Sequence, residues 1–318
     1  MSSVFSPFLA SRAGVVILDG GLATELERRG LELLDPLWSA KILVEAHEEI
    51  EAVHYEYFRA GADVGTSASY QATFAGFAAR GIGTRESERL LRLSVELVER
   101  ARERFWSDLA NRPGRIFPLV AASIGCYGAS LHDGSEYRGD YGLSLPELIE
   151  FHRPRLRVLA DSGADVLAFE TIPSKLEAEA VVALLEEIPS PPPAWVSFSC
   201  LSEVDVCHGE PLFECFAAAG PSEAVVAVAE STALPRASCP VSWNRPEGPP
   251  RSSSRSIRTA GRSGTRRNRS GFQAKPRPRS KTSHPSGDGG GLASSAAAAA
   301  RRLKPSGPSG QPFQPSKL

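Results

Sequence analysis

The chain has 318 residues, enough for one large domain or two ordinary ones. Its formal charge of −1 conceals two unlike parts: residues 1–230 hold 19 Lys+Arg against 35 Asp+Glu, whereas residues 231–318 hold 17 against two, Glu247 and Asp288. Five cysteines without a CxxC pair exclude a disulfide framework, and no apolar run approaches the ~18 residues of a membrane-spanning helix.

Residues 1–12 read as an N-terminal extension, too weakly apolar and lacking the basic region of a secretory leader. A soluble, cytoplasmic protein without a membrane partner is therefore expected. From residue 13 to 230, short β-branched apolar runs alternate with long amphipathic ones, the pattern of a parallel α/β fold. Strands are predicted over 15–19, 62–66, 117–124, 164–170, 194–199 and 224–229, each nearly continuous in apolar residues, as strands covered on both faces must be. Helices are predicted over 39–60, 86–111, 145–162, 175–187 and 212–219. In the second of these, Leu90, Leu91, Leu93, Val95, Leu97 and Val98 recur at helical spacing between charged residues. Ser144 with Glu147 three residues on, and Pro173-Ser174 before Lys175, mark helix starts.

Polar residues cluster where the predicted strands end: Asp19-Gly20-Gly21, Thr66 to Tyr70, Ser123 to Tyr127 and Glu170-Thr171. Neither GxGxxG nor GxxxxGK[ST] follows the first strand, which favours a (βα)₈ barrel over a nucleotide-binding sheet.

Read together, LDGGLATELERRG (18–30), TSASYQATFAGF (66–77), SIGCYGASLHDGSEYRGDY (123–141) and AFETIPSKLEAEAV (168–181) resemble the homocysteine S-methyltransferase family, in the branch that uses S-methylmethionine or S-adenosylmethionine. The similarity runs in order over residues 13–229. It implies a (βα)₈ TIM barrel of the homocysteine-binding type, here incomplete with about six βα units, and methyl transfer from a sulfonium donor to homocysteine to give methionine. It also implies a zinc ion held by three cysteine thiolates, one in an Asn-Cys pair after the sixth strand and two in a Gly-Gly-Cys-Cys-Arg motif after the eighth. Zinc coordination turns a thiol into a thiolate nucleophile at neutral pH.

Several residues take a role from this resemblance, each beside a plainer alternative. Asp19 with Gly20 and Gly21 contacts the homocysteine amino group, or else forms an ordinary Asp-Gly turn. Glu170 ends an apolar strand where an unpaired carboxylate is costly, so it needs a cation; a substrate ammonium supplies one, and a structural Arg is the rival. Thr171 is a helix cap or a hydrogen-bonding group at the barrel mouth. Tyr70 lines the substrate site or packs as an amphipathic aromatic. Tyr127 and Gly128 carry weaker versions of the same role. Cys126, Cys207-His208 and Cys215 read as small buried hydrophobes rather than a metal site, for they have no close-spaced partner pair.

After Ala229 the family pattern stops, and Glu230-Ser-Thr-Ala stands where Asn-Cys-Thr is expected. Read two bases later, the codons from Glu230 can encode ValAsnCysThr, and those over 293–303 can encode PheIleGlyGlyCysCysArgThrThrPro, so that the five alanines 296–300 overlie the lost zinc motif. A change of reading frame near Ala229 and Glu230 accounts for both. In the frame as given, all three family zinc ligands are missing and no metal site is assigned. Residues 231–318, rich in Pro, Gly and Ser and poor in apolar residues, are expected to form a disordered tail. Its basic run over 255–281 has the charge to bind nucleic acid, which a frame change makes incidental; no specific nucleic acid is expected. Two functions follow: a homocysteine S-methyltransferase impaired in zinc binding, or a non-catalytic protein that still binds homocysteine.

Overall fold

The computed structural model describes residues 4–11, 14–33 and 38–232; the predicted tail and Cys239 lie outside them. Five parallel strands, β1 (Val64–Thr66), β2 (Leu119–Gly125), β3 (Val166–Ile172), β4 (Ala194–Cys200) and β5 (Val225–Thr232), hydrogen-bond in chain order. Chain-order neighbours with helices between them are the winding of a (βα) barrel. The first predicted strand, 15–19, lies beside β1 but makes a single parallel bridge, Leu18 to Val64, rather than a ladder.

The tetrapeptide Gly-Ala-Asp-Val occurs at 61–64 and again at 163–166, each time leading into a strand. In each copy the glycine has a left-handed φ, +117° at Gly61 and +88° at Gly163, a turn out of the preceding helix that a β-carbon would strain. The aspartate then closes on the neighbouring strand. Asp165 accepts from the Val120 N–H at 2.8 Å, and Asp63 from the Ile17 N–H at 3.0 Å. Beside β1 this side-chain bond accompanies backbone bonds from the Asp63 and Val64 N–H groups to the Ile17 carbonyl and from the Asp19 N–H to the Val64 carbonyl.

The helices are α1 (Ser6–Ser11), α2 (Leu22–Arg28), α3 (Trp38–Glu45), α4 (His47–Ala60), α5 (Phe74–Ala78), α6 (Thr84–Ser107), α7 (Leu145–Ala160), α8 (Lys175–Glu186) and α9 (Leu212–Ala219). The single helix expected over 39–60 is broken at Ala46, whose φ of −150° is not helical. The helix expected to reach 111 ends at Ser107, because Asp108 turns to extended backbone and its side chain caps a 3₁₀ turn at the Ala110 N–H. Both predicted helix starts are present: Ser144 and Glu147 form a capping box, and the Ser174 hydroxyl accepts from the Glu177 N–H.

Two apolar layers result. The larger lies between sheet and helices and includes Leu97, Val98, Val120, Leu167, Val181 and Val196. The smaller lies on the other face of the sheet, where Val64, Ala121, Val166, Ala168, Trp195 and Ala227 alternate with the first set. Phe5 and Phe8, beside and within α1, belong to this second layer, with the Phe5 and Trp195 ring centres 6.2 Å apart. The N-terminal extension thus fills the inside of the sheet. Among the described residues no helix is long and apolar enough to cross a membrane.

Candidate functional site

Parallel strands deliver their C-terminal ends to one side of the sheet, and the polar residues singled out from the sequence meet there. Asp19 is almost fully buried. Its carboxylate accepts from the Thr66 N–H at 2.7 Å and the Thr66 hydroxyl at 2.9 Å, and the buried His54 ring of α4 stands 3.7 Å away. Asp19 is therefore fixed by β1 rather than being a free turn residue. Gly20 lies under the Tyr57 ring: a β-carbon there falls 2.8 Å from the ring, and the Tyr57 hydroxyl donates to the Gly21 carbonyl at 3.1 Å. Close approach by an aromatic ring makes Gly20 obligatory. Gly21 caps α2.

Glu170 ends β3 on the same side. The Ser123 hydroxyl donates to it at 2.6 Å, and among the described residues it takes part in no ion pair. Burial raises its pKa to about 7, opposed by the Ser123 hydrogen bond and assisted by the negative charge of Asp19. The structural-arginine alternative therefore has no support among the described residues. What stands there is a pair of carboxyl groups, Asp19 beside His54 and Glu170 with no Lys or Arg paired to it among the described residues.

Thr171 has φ +62°, a strained value for a β-branched residue, and sits at a break in the β3–β4 register between Phe169 and Ile172. It does not cap α8, a role Ser174 fills. Instead its side chain reaches the Tyr70 hydroxyl, whose pKa burial drives well above the ordinary phenol value and this contact partly lowers. The Tyr70 ring covers Gly125, where a β-carbon would lie 2.4 Å from the Tyr70 carbonyl oxygen and 2.9 Å from the ring. So Asp19, Gly20, Gly21, Tyr70, Glu170 and Thr171 all border the strand-end mouth.

The floor between them is held by hydroxyl groups. The Ser123 N–H donates to Ser67 Oγ at 3.0 Å, Ser67 and Ser69 share a 2.7 Å bond, and the Ser69 hydroxyl returns to the Ser123 carbonyl at 2.7 Å. Because Ser69 donates to Ser123, Ser67 is the donor to Ser69, and the ring closes with every proton placed. Sequence reading marked these positions only as polar strand ends. It missed His54, and also Glu136, whose carboxyl is raised by burial and whose Oε2 is buried without a hydrogen-bond partner. Neither carries a local signal, since each arrives from an element whose placement depends on the assembled sheet.

The described cysteines do not fit a zinc ion. Cys126, Cys200 and Cys215 are buried apart from one another, and among the described residues no three His, Cys, Asp or Glu side chains are grouped to hold a metal. Burial pushes the Cys126 and Cys207 thiols up and the Cys215 thiol to about 12, the behaviour of small buried side chains.

The chain matches the family model described as homocysteine S-methyltransferase over residues 16–238, somewhat beyond the Ala229 limit read from the motifs. It is 55% identical over 201 residues to a homocysteine S-methyltransferase of Bacillus subtilis, covering 63% of this chain and 64% of that protein. It is 49% identical to homocysteine S-methyltransferase 2 of Arabidopsis thaliana, covering 72% of each. A selenocysteine Se-methyltransferase of Brassica oleracea is also 49% identical, over 72% of this chain and 68% of that one. Among solved structures, the metallated form of a homocysteine methyltransferase from Escherichia coli superposes with a TM-score of 0.66 at 48% identity, over 70% of this chain and 76% of the other. The similarity thus spans about two thirds to three quarters of these relatives.

Proposed function

The chain belongs to the homocysteine S-methyltransferase family, and from that premise we propose that its strand-end mouth binds homocysteine by the amino-acid end, with Asp19 and Glu170 receiving the ammonium group. The observation that carries this reading is Glu170, a recessed carboxyl beside a second carboxyl with no cation to pair it. A group in that setting is costly as an anion, and a ligand cation relieves the cost. Tyr70, braced by Thr171, walls the site over Gly125, while Gly20 makes room for the Tyr57 ring and the Gly21 carbonyl accepts from the Tyr57 hydroxyl, fixing the backbone beside Asp19.

The family reaction moves a methyl group from S-methylmethionine or S-adenosylmethionine to the homocysteine sulfur, giving methionine. The chain's own residues supply binding and orientation of homocysteine and of the sulfonium donor. Thiol activation needs a zinc site that the described residues do not form, so methyl transfer by this chain is impaired. A second reading, a protein that binds homocysteine without turning it over, is favoured by the described cysteines not being grouped as metal ligands. The setting in either case is the cytoplasm.

Calorimetric titration of the purified chain with L-homocysteine and with 4-mercaptobutanoate, which lacks the amino group, tests the binding claim. Homocysteine is expected to bind and the desamino compound to fail; equal binding of both rejects the ammonium role. Methionine formation with added zinc and either sulfonium donor then separates impaired enzyme from binder.

A further inference from the structure

Behind the mouth lies a second ionisable cluster that sequence reading missed. His152 and Arg155 of α7 and Glu177 of α8 are exposed by 0%, 1% and 0%. Glu177 Oε1 accepts from the Tyr127 N–H at 2.6 Å and lies 2.8 Å from His152 Nε2. Arg155 Nη2 donates to the Gly125 carbonyl at 2.6 Å and lies 2.9 Å from His152 Nδ1, while Nη1 reaches the Tyr70 carbonyl at 3.4 Å.

The proton positions follow from chemistry. A guanidinium only donates, so His152 Nδ1 accepts and Nε2 carries the hydrogen that Glu177 receives. The imidazole is neutral, in keeping with a pKa lowered by burial. It links a cation to an anion through one fixed tautomer.

We propose that Arg155, His152 and Glu177 form a positioning clamp that sets Tyr70 and the turn from Gly125 to Tyr127 for amino-acid binding. The clamp's outward contacts in this set end on the backbone of the mouth: Tyr70, Gly125 and Tyr127. The Gly125 N–H also donates to the Tyr70 carbonyl at 3.1 Å, so the clamp grips two segments already bonded to each other. A buried charge set contributes little net stability compared with apolar packing of the same volume, so its worth lies in the geometry it imposes. Because Gly125 admits no β-carbon under Tyr70, a small movement of the turn displaces the ring that walls the site. Arg155 also lies over the Phe151 ring at 5.2 Å, which limits its own freedom.

The inference rests on the mouth being the homocysteine site, and its test uses two readouts. Amide hydrogen exchange at Gly125 and Tyr127 needs no ligand, and homocysteine affinity needs the site. His152→Leu removes both imidazole contacts; His152→Gln keeps one acceptor for Arg155 and one donor for Glu177; Leu97→Ala destabilises the core from α6, without a polar contact to the clamp, as a control. In His152→Leu, protection of the two amides is expected to fall and homocysteine affinity to weaken by about tenfold each. His152→Gln is expected to restore both, and Leu97→Ala to lower the melting temperature without moving either. Unchanged protection and affinity in His152→Leu, or equal changes in Leu97→Ala, overturn the clamp. Should the wild-type chain bind no homocysteine, the reading of the mouth falls and amide protection alone decides the clamp. Where His152→Leu does not fold, Arg155→Lys, which keeps the charge and loses the fork, gives the same two readouts with the same expected direction.

Discussion

Glu170 and Glu177 stand seven residues apart in one βα unit, yet their surroundings are opposite. Glu177 is fully buried and answered by a histidine, a backbone N–H and the charge of Arg155 nearby. Glu170 is recessed at the strand end and answered by one serine hydroxyl, with Asp19 adding a like charge. Protein groups answer Oε1 of the first carboxylate, while its Oε2 is buried without a hydrogen-bond partner among the described residues, and through Oε1 it holds structure. The second is left unbalanced, and an unbalanced carboxyl at the mouth of a barrel is where a cationic ligand group gains most.

The contrast is broken most severely by Glu177→Ala, which strands Arg155 in the interior. Removing the counter-charge of a buried guanidinium costs about 3–5 kcal/mol of folding stability, measurable by urea denaturation. Glu170→Gln has the opposite character. The carboxyl has a higher pKa folded than unfolded, so its ionisation opposes folding as pH rises from the ordinary carboxylate range through about 7. The amide removes that opposition, and the variant gains about 1–2 kcal/mol at pH 8 and little at pH 4, while losing homocysteine binding. Stability lost at pH 8 contradicts the account.

Gly20→Ala tests the front wall, where the new methyl meets the Tyr57 ring. A loss of about 1–3 kcal/mol is expected, together with weaker homocysteine binding, and Tyr57→Leu in the same chain relieves part of the stability loss. The smallest effect belongs to Ser144→Ala at the capping box of α7, about 1 kcal/mol in thermal unfolding with homocysteine affinity unaltered. That residue lies at the start of the clamp helix but outside the clamp, so a change in affinity there shows that helix stability, rather than the three side chains, sets the mouth.

Much of this was legible in the sequence wherever a signal is local. The apolar runs gave five of the ladder-forming strands to within a few residues, and Ser144, Glu147 and Ser174 announced their helices through side-chain caps. The family motifs bring Asp19, Tyr70, Glu170 and Thr171 forward as candidates, and the structure places them at or beside the C-terminal ends of the strands. What escaped depends on contacts between distant segments. The break at Ala46 and the positive φ of Thr171 have no local marker, for neither residue is a glycine or a proline. The clamp draws on positions 125, 127, 152, 155 and 177 at once. A trace of it is visible in retrospect: His152 interrupts the buried stripe Leu148, Leu156 and Leu159 of α7, and a polar residue on an apolar helix face is a buried group that needs a partner.

The central claim is that Glu170 awaits a cation, and the most direct measurement counts protons. Near pH 7 its carboxyl is partly protonated in the free protein, and an arriving ammonium drives it to the carboxylate. Titration calorimetry with L-homocysteine at pH 7 in two buffers of different ionisation enthalpy is expected to show release of about half a proton per ligand, with release vanishing in Glu170→Gln. Binding with no buffer dependence, or the same proton release in Glu170→Gln, contradicts it.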